Sequence, residues 1–176
     1  VINYPDASKR VQFGVETLSK ALKENGYAVD NKLLKKLPKN EKTIIVFEKD
    51  NNKPEKLLQK LKINIPDNLK KEGFYITTIK NVTIICGADG SGALYGCREI
   101  IDRMNDKSQA DFPVNFTDAP EMVLRGTAIG IQKPYYLPGR TVYEYPYTPE
   151  TFPWLYDKEQ WIKYLDMLVA NRMNSV

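Results

Sequence analysis

The chain has 176 residues, 42% of them hydrophobic and 27% charged, which is enough for one folded domain or for one domain and part of another. It has no histidine and only two cysteines, so a Ser-His-Asp triad, a His-Glu-x-x-His zinc helix and a cysteine zinc site are all excluded. No apolar run approaches the ~18 residues of a membrane span, and we expect no span, no metal and no cofactor.

The net charge of +4 is unevenly distributed along the chain. Residues 1–80 carry 17 Lys and Arg against 10 Asp and Glu, and the excess is almost entirely Lys, with Arg10 as the single arginine. Proteins that bind nucleic acid usually mix Arg with aromatic residues in one basic stripe. We therefore interpret the lysines as a solvated surface and expect no nucleic acid partner, with an anionic partner as the alternative.

The first predicted elements are a helix and two strands. A helix over residues 8–25 is indicated by Ser8 as N-cap, by Gly26 after its end and by an apolar stripe at helical spacing: Val11, Val15, Leu18 and Leu22. A short strand is predicted over 27–30. The strand predicted over 42–48 is nearly all apolar, as expected for a strand covered on both faces.

The next elements complete a first domain. Pro54 suits the first position of a helix whose apolar residues are Leu57, Leu58 and Leu61. Strands over 73–79 and 81–86, separated by Lys80-Asn81, predict a tight hairpin. A helix over 93–105 and a strand over 112–117 follow. Strands and helices mix without strict alternation, so we predict an α+β fold for residues 1–118, with a mixed sheet and helices packed on it.

The remaining residues have the order of elements that opens a (β/α)₈ barrel. The turn Asp118-Ala119-Pro120 is the predicted domain boundary, and a strand is predicted over 123–131. A proline-rich loop over 132–157 and a helix capped by Asp157 follow it. A complete barrel needs ~250 residues. We therefore expect residues 119–176 to be the first strand, loop and helix of a barrel that is incomplete in this chain.

A glycine-rich segment from Gly90 to Gly96 follows a strand and opens a helix, which is the setting of a dinucleotide-binding turn. Its GxGxxxG spacing is one residue longer than the usual form, the preceding strand belongs to a hairpin, and Asp89 would repel a pyrophosphate. We favour glycines that permit a tight turn and close helix packing. Nucleotide binding, and with it a nucleotide-dependent oxidoreductase, is therefore the least favoured functional hypothesis for this chain.

The two cysteines lie close together in the predicted order of elements. Cys86 ends a strand and Cys97 lies inside the next helix. Two buried free thiols are the favoured interpretation. A disulfide, which would need the helix to pack back over the strand end, is the alternative.

Three segments resemble a known family: residues 72–76, residues 82–85, and residues 90–101 with the sequence GSGALYGCREII. They are similar to the domain that precedes the barrel in family 20 β-N-acetylhexosaminidases. The same domain precedes the barrel in family 67 α-glucuronidases. The resemblance implies a zincin-like domain without zinc chemistry, in a periplasmic or secreted enzyme. The catalytic Asp-Glu pair of family 20 lies on a later strand, so no catalytic residue is assigned in this chain.

The resemblance continues into Leu124-Arg125-Gly126. In family 20 the arginine of an Arg-Gly pair on the first barrel strand binds substrate hydroxyls, which implies a substrate-binding role for Arg125. A planar guanidinium at the mouth of a barrel can donate paired hydrogen bonds to sugar hydroxyls. The alternative is that Arg125 braces the barrel mouth through an ion pair.

Aromatic residues are concentrated in the loop and helix that follow Arg125. Ten of the 19 aromatic residues lie between Tyr135 and Tyr164. Loops after barrel strands lie on the catalytic face, and aromatic rings stack on sugar rings. We predict Tyr135, Tyr136 and Trp154 as further substrate contacts, with packing beneath the loop as the alternative. Trp161 and Tyr164, at helical spacing, are predicted core residues.

The leading hypothesis is the N-terminal portion of a glycoside hydrolase acting on oligo- or polysaccharides. By the resemblance it would be β-N-acetylhexosaminidase-like. We expect this fragment to be inactive because no acid/base pair with a supporting barrel is present, and we expect the carbohydrate substrate to bind to the complete barrel. The alternative is a non-catalytic carbohydrate-binding or docking module. The sugar, its linkage, the stereochemical outcome and the oligomeric state stay open.

Overall fold

The computed structural model describes residues 2–3, 7–33, 41–51, 54–106, 112–130, 148–150 and 152–176. They fall into two compact units, Val1–Glu121 and Met122–Val176, each of which is described by itself.

The described part of the first unit contains a six-stranded mixed sheet. Its strands in chain order are β1 (Ile2–Asn3), β2 (Lys32–Leu33), β3 (Thr43–Glu48), β4 (Phe74–Ile79), β5 (Val82–Gly87) and β6 (Phe116–Asp118). The order across the sheet is β2-β1-β3-β5-β4-β6. β1 is parallel to β2 and β3, β3 is parallel to β5, and β4 is antiparallel to β5 and β6. The predicted α+β fold with a mixed sheet is confirmed.

Three helices pack with this sheet: α1 (Lys9–Glu24), α2 (Glu55–Leu61) and α3 (Gly90–Asn105). α1 confirms the first predicted helix, since the Ser8 hydroxyl accepts a hydrogen bond from the Val11 N–H and the predicted apolar stripe is buried. α3 begins three residues before the predicted start, because the Asp89 carboxylate caps the Gly92 N–H and draws the glycines into the first turn.

The sheet has a core on each face. On one face α3 lies close enough to β4 and β5 that a Cβ on Gly96 would stand 2.5 Å from Ile85 Cγ2, and Gly14 of α1 faces Leu94 of α3. On the other face Ile45 and Phe47 of β3 pack with residues of α2 and of the segment after it: Leu57, Leu58, Leu61, Ile63 and Ile65. Burial on both faces explains the continuous apolar sequence of β3.

The predicted β4–β5 hairpin is confirmed, with Ile79 opposite Val82 and the turn at Lys80-Asn81. Lys80 takes a positive φ of 54°, which closes the two-residue turn.

Two other strand predictions in this unit need correction. Residues 27–30 form no strand, because Gly26 ends the helix with a φ of 85° and the Tyr27 N–H donates to the Leu22 carbonyl. The strand predicted over 112–117 is reduced to β6, Phe116–Asp118. Asn115 just before it has a φ of 52° and its N–H donates to the Thr77 hydroxyl, so the chain turns before it joins the sheet.

The second unit contains the short helix α4 (Pro153–Tyr156) and the helix α5 (Lys158–Ala170). Asp157 caps α5 as predicted, accepting from the Gln160 N–H at 3.0 Å. The strand predicted over 123–131 is wrong for its described residues: a single parallel bridge joins Gly126 to Ser175. A strand needs a neighbour along its length, and the described structure supplies one only at this bridge.

Candidate functional site

The turn before α3 is closed by backbone packing. The Asp89 carboxylate accepts hydrogen bonds from the N–H groups of Glu72 and Gly92, both at 2.9 Å. A Cβ on Gly92 would collide with the carbonyl oxygen of Gly73. The glycines therefore permit close packing, as favoured from the sequence, and a carboxylate occupies the helix end where a nucleotide phosphate would have to bind.

Both cysteines are free, buried thiols, as the favoured interpretation had it. Burial raises the pKa of the Cys86 thiol from 9.0 to about 12, against a smaller lowering by the charge of Lys49. Burial also raises the pKa of the Cys97 thiol. Because the thiolate is the reactive form, neither side chain is suited to act as a nucleophile at neutral pH.

Arg125 ties the first and last segments of the second unit together. Its Nε donates to the Arg172 carbonyl at 2.8 Å and a terminal guanidinium nitrogen donates to the Met122 carbonyl at 2.6 Å. Its backbone carbonyl accepts from the N–H groups of Asn174, at 2.8 Å, and Ser175, at 3.1 Å. The side chain thus braces this unit through backbone carbonyls, where the sequence-based alternative was an ion pair.

Trp154 begins a row of aromatic rings in the second unit. Its ring centroid lies 6.2 Å from that of Trp161, which in turn meets Tyr164 edge-on at 5.9 Å. Trp161 Nε1 donates to the Leu155 carbonyl at 2.9 Å, and the Tyr164 hydroxyl bonds the Thr127 hydroxyl. Trp161 and Tyr164 are partly exposed rather than core residues. The ring pairs described for them are with Trp154 and with each other, and not with the core of a second layer.

The predicted substrate contacts are only partly described. Tyr135 and Tyr136 lie outside the described residues, so their roles stay predictions. Arg125 and Trp154 belong to the same unit. Among its described residues, Tyr164 and Thr127 link the aromatic row to the segment that carries Arg125, two residues before Thr127. That connection through the Tyr164 hydroxyl was not foreseen.

The described ranges hold no group of three or more His, Cys, Asp or Glu side chains arranged to bind a metal ion. The helices that the structure describes include none with the length and apolar character required to cross a bilayer.

One feature of the first unit was missed from the sequence. A cavity of about 460 Å³ opens at the sheet edge where β3 and β5 begin, and its lining includes Tyr27, Lys42, Lys80, Asn81 and Phe112. The sequence signal for this cavity was weak: Lys42 directly precedes β3, and Lys80 lies in the turn of the β4–β5 hairpin. Their proximity depends on the parallel pairing of β3 with β5, which no local pattern encodes.

Comparisons with known proteins add the functional context. No protein-family model matches the chain, and no curated protein is significantly similar to it. A solved family GH138 enzyme that targets pectin rhamnogalacturonan II matches 99% of the chain at 44% identity, with a TM-score of 0.74. A solved family GH115 4-O-methyl-α-glucuronidase with specificity for decorated arabinogalactans matches 99% at 16% identity, with a TM-score of 0.65.

Both of these structural neighbours of the chain are glycoside hydrolases. The second match, at 16% identity, shows the fold alone. The chain spans 18% of the length of the first enzyme and 24% of the second. The predicted resemblance to glycoside hydrolases is confirmed at this level, whereas the family 20 or 67 relationship and the zincin-like assignment stay predictions.

Proposed function

We propose that this chain is the N-terminal portion of a glycoside hydrolase that acts on a complex polysaccharide of the pectic class. The observation that carries the proposal is the 44% identity, over 99% of the chain, to the enzyme that targets pectin rhamnogalacturonan II. That identity supports a relationship in sequence over nearly the whole chain, whereas the second neighbour supports the fold alone.

We assign residues 119–176 to the beginning of the catalytic barrel. The bridge between Gly126 and Ser175 is parallel, and α5 lies between the two residues in sequence. Strand, helix and parallel strand in succession are the repeating unit of a (β/α)₈ barrel. Residues 1–118 would form the accessory domain in front of it.

Exposed apolar side chains in the second unit support the same assignment. Val123 is 82% exposed and Leu124 is 75% exposed, and on α5 Ile162 and Leu165 are 48% and 46% exposed. Contiguous exposed apolar surface marks a place where further protein packs. In this proposal later strands and helices of the barrel cover both the segment and the helix.

The substrate site would form at the mouth of the completed barrel. Arg125 would contribute hydrogen bonds to sugar hydroxyls, and Trp154, with Tyr135 and Tyr136, would contribute rings on which sugars stack. The hydrogen bonds from Arg125 to the Met122 and Arg172 carbonyls support a fixed orientation of that side chain.

The proposal assigns the chemistry to residues of later strands. Glycoside hydrolysis generally uses two carboxyl groups that flank the scissile bond. We therefore propose that the 176-residue chain has no hydrolytic activity by itself. We also propose a periplasmic or secreted location for the complete enzyme, which fractionation of producing cells would test.

The test compares the complete enzyme with the 176-residue chain on pectic oligosaccharides and on an aryl N-acetyl-β-hexosaminide. Release of sugar from the pectic substrate by the complete enzyme alone is the expected result. Turnover of the hexosaminide would instead support the second candidate, a β-N-acetylhexosaminidase-like specificity, which rests on Leu124-Arg125-Gly126. Glycan binding without turnover by the complete protein would favour a non-catalytic module and contradict the proposal.

A further inference from the structure

The cavity in the first unit has the dimensions and lining of a ligand site. Its volume of about 460 Å³ falls in the range of small-molecule sites, well above that of a packing defect. It opens at the edge of the sheet where β3 and β5 begin and β4 ends. All of its lining residues belong to the first unit, so it is separate from the barrel site proposed above.

Two lysines are brought together at this cavity by the sheet. The Thr43 N–H donates to the Asn81 carbonyl at 2.8 Å, and Thr43 is paired with Val82. Lys42 and Lys80 each precede one of the two hydrogen-bonded residues, so both lie at the same edge. The lining that the structure describes contains no carboxylate, and neither lysine forms an ion pair with a described residue.

Aromatic and hydrogen-bonding groups complete the lining. Tyr27 is 52% exposed beside the cavity, and Phe112 contributes a second ring. Asn81 and Thr78 add amide and hydroxyl groups. Rings that stack on a sugar, polar groups that bond its hydroxyls and ammonium groups that pair with carboxylates together match an acidic sugar.

We propose that this cavity is an ancillary binding site for an acidic oligosaccharide, one whose sugars carry carboxylates. The site would hold the polysaccharide through the accessory domain while the barrel acts on it. The choice of a glycan as ligand rests on the proposed function, whereas the requirement for negative charge follows from Lys42 and Lys80. The lysine excess of residues 1–80 would favour the approach of such a chain.

The test measures binding to the 176-residue chain, with amide chemical shifts observed by NMR during titration. A hexamer of galacturonic acid is the probe, and a neutral hexamer of glucose is its size-matched comparison. We expect saturable shifts at Tyr27, Thr43 and Asn81 with the acidic hexamer, and much weaker shifts with the neutral one. High salt should weaken the binding of the acidic hexamer.

The matched variants remove the same charge at different places. Lys42→Gln with Lys80→Gln should weaken binding about tenfold, since two exposed ion pairs are lost. The control, Lys60→Gln with Lys71→Gln, makes the same change at exposed residues outside the lining and should leave binding unchanged. Tyr27→Ala removes an exposed ring and should weaken binding about fivefold without unfolding the chain.

Equal losses in the two double variants would overturn the site, because binding would then follow net charge alone. Equal binding of the neutral and acidic hexamers would overturn it as well, as would no binding or shifts confined to the second unit. Hydrolysis is assigned to the barrel, so failure of this binding test would leave the proposed enzyme intact. Failure of the complete enzyme to hydrolyse pectic substrates would likewise leave the binding measurement valid.

Discussion

Replacing the side-chain hydrogen of Gly96 by a methyl group, in Gly96→Ala, is predicted to destabilise the first unit. An added Cβ would stand 2.5 Å from Ile85 Cγ2 and 3.4 Å from Phe74 Cβ. Carbon atoms pack best at ~3.5–4.0 Å, so the variant needs roughly 1 Å of additional separation. Ile85 is 0% exposed and Phe74 is 1% exposed, so neither side chain can move into solvent.

The expected effect of Gly96→Ala is the difference between two opposing terms. Overpacking a well-filled core costs about 1–3 kcal/mol, and this overlap belongs at the upper end of that range. Replacing glycine by alanine inside a helix gains about 1 kcal/mol. The free energy of unfolding should therefore fall by about 2 kcal/mol, measured by urea denaturation and followed by far-ultraviolet circular dichroism.

A double-mutant cycle with Ile85→Ala tests the cause. Ile85→Ala alone should cost about 2–5 kcal/mol, because it leaves a cavity. When Ile85 is already alanine, the methyl group that Gly96→Ala introduces has room. Gly96→Ala should therefore be neutral or stabilising in that background, with a coupling energy of about 2 kcal/mol. Gly130→Ala, where the added Cβ meets nothing within 4 Å, is the control and should have little effect. Additive effects of the two changes would refute the steric explanation.

Three further outcomes are expected. The stability contributed by the neutral Cys86 thiol is fully present below its unfolded pKa of 9.0 and is lost as pH rises towards the folded value of about 12. The urea midpoint should therefore fall less steeply above pH 9 in Cys86→Ala than in the unaltered chain; parallel profiles would contradict this. In the complete enzyme, Arg125→Ala should lower kcat/KM about 10- to 100-fold through loss of the proposed charge-assisted hydrogen bonds to sugar hydroxyls. Unchanged steady-state kinetics would remove Arg125 from the substrate site. Trp154→Ala should raise KM about fivefold with little change in kcat, whereas a selective loss of kcat would exclude a simple stacking role.

Elements defined by local sequence were predicted well. α1 has its cap at Ser8 and its stripe at helical spacing, and the β4–β5 hairpin is closed by two residues. Both signals lie within a few positions of the elements they specify. α5 was found for the same reason, since Asp157 caps it directly.

Features that depend on distant residues were not predictable in the same way. The sheet order β2-β1-β3-β5-β4-β6 places strands side by side that are separated by tens of residues, and the cavity with Lys42 and Lys80 exists only because of it. The apolar segment after residue 122 reads as a strand, yet in the described structure it is paired only through Gly126 and Ser175. Hydrophobic pattern predicts the capacity to form a strand, and a neighbouring strand is needed to realise it.

The candidate site was predicted less completely than the fold. The aromatic residues were recognisable as a cluster in sequence, but the row from Trp154 through Trp161 to Tyr164 is a product of the α4–α5 geometry. The Arg125 side chain donates to the backbone carbonyls of Met122 and Arg172. Every residue has a backbone carbonyl, so the sequence does not indicate which ones an arginine will contact.

The most direct measurement is sugar release from a pectic polysaccharide by the complete enzyme, with the 176-residue chain assayed in parallel at equal concentration. Hydrolysis by the complete enzyme, together with none by the shorter chain, is the predicted result. Hydrolysis by the shorter chain, or none by the complete enzyme on any glycoside offered, would contradict the assignment of this chain to the front of a glycoside hydrolase barrel.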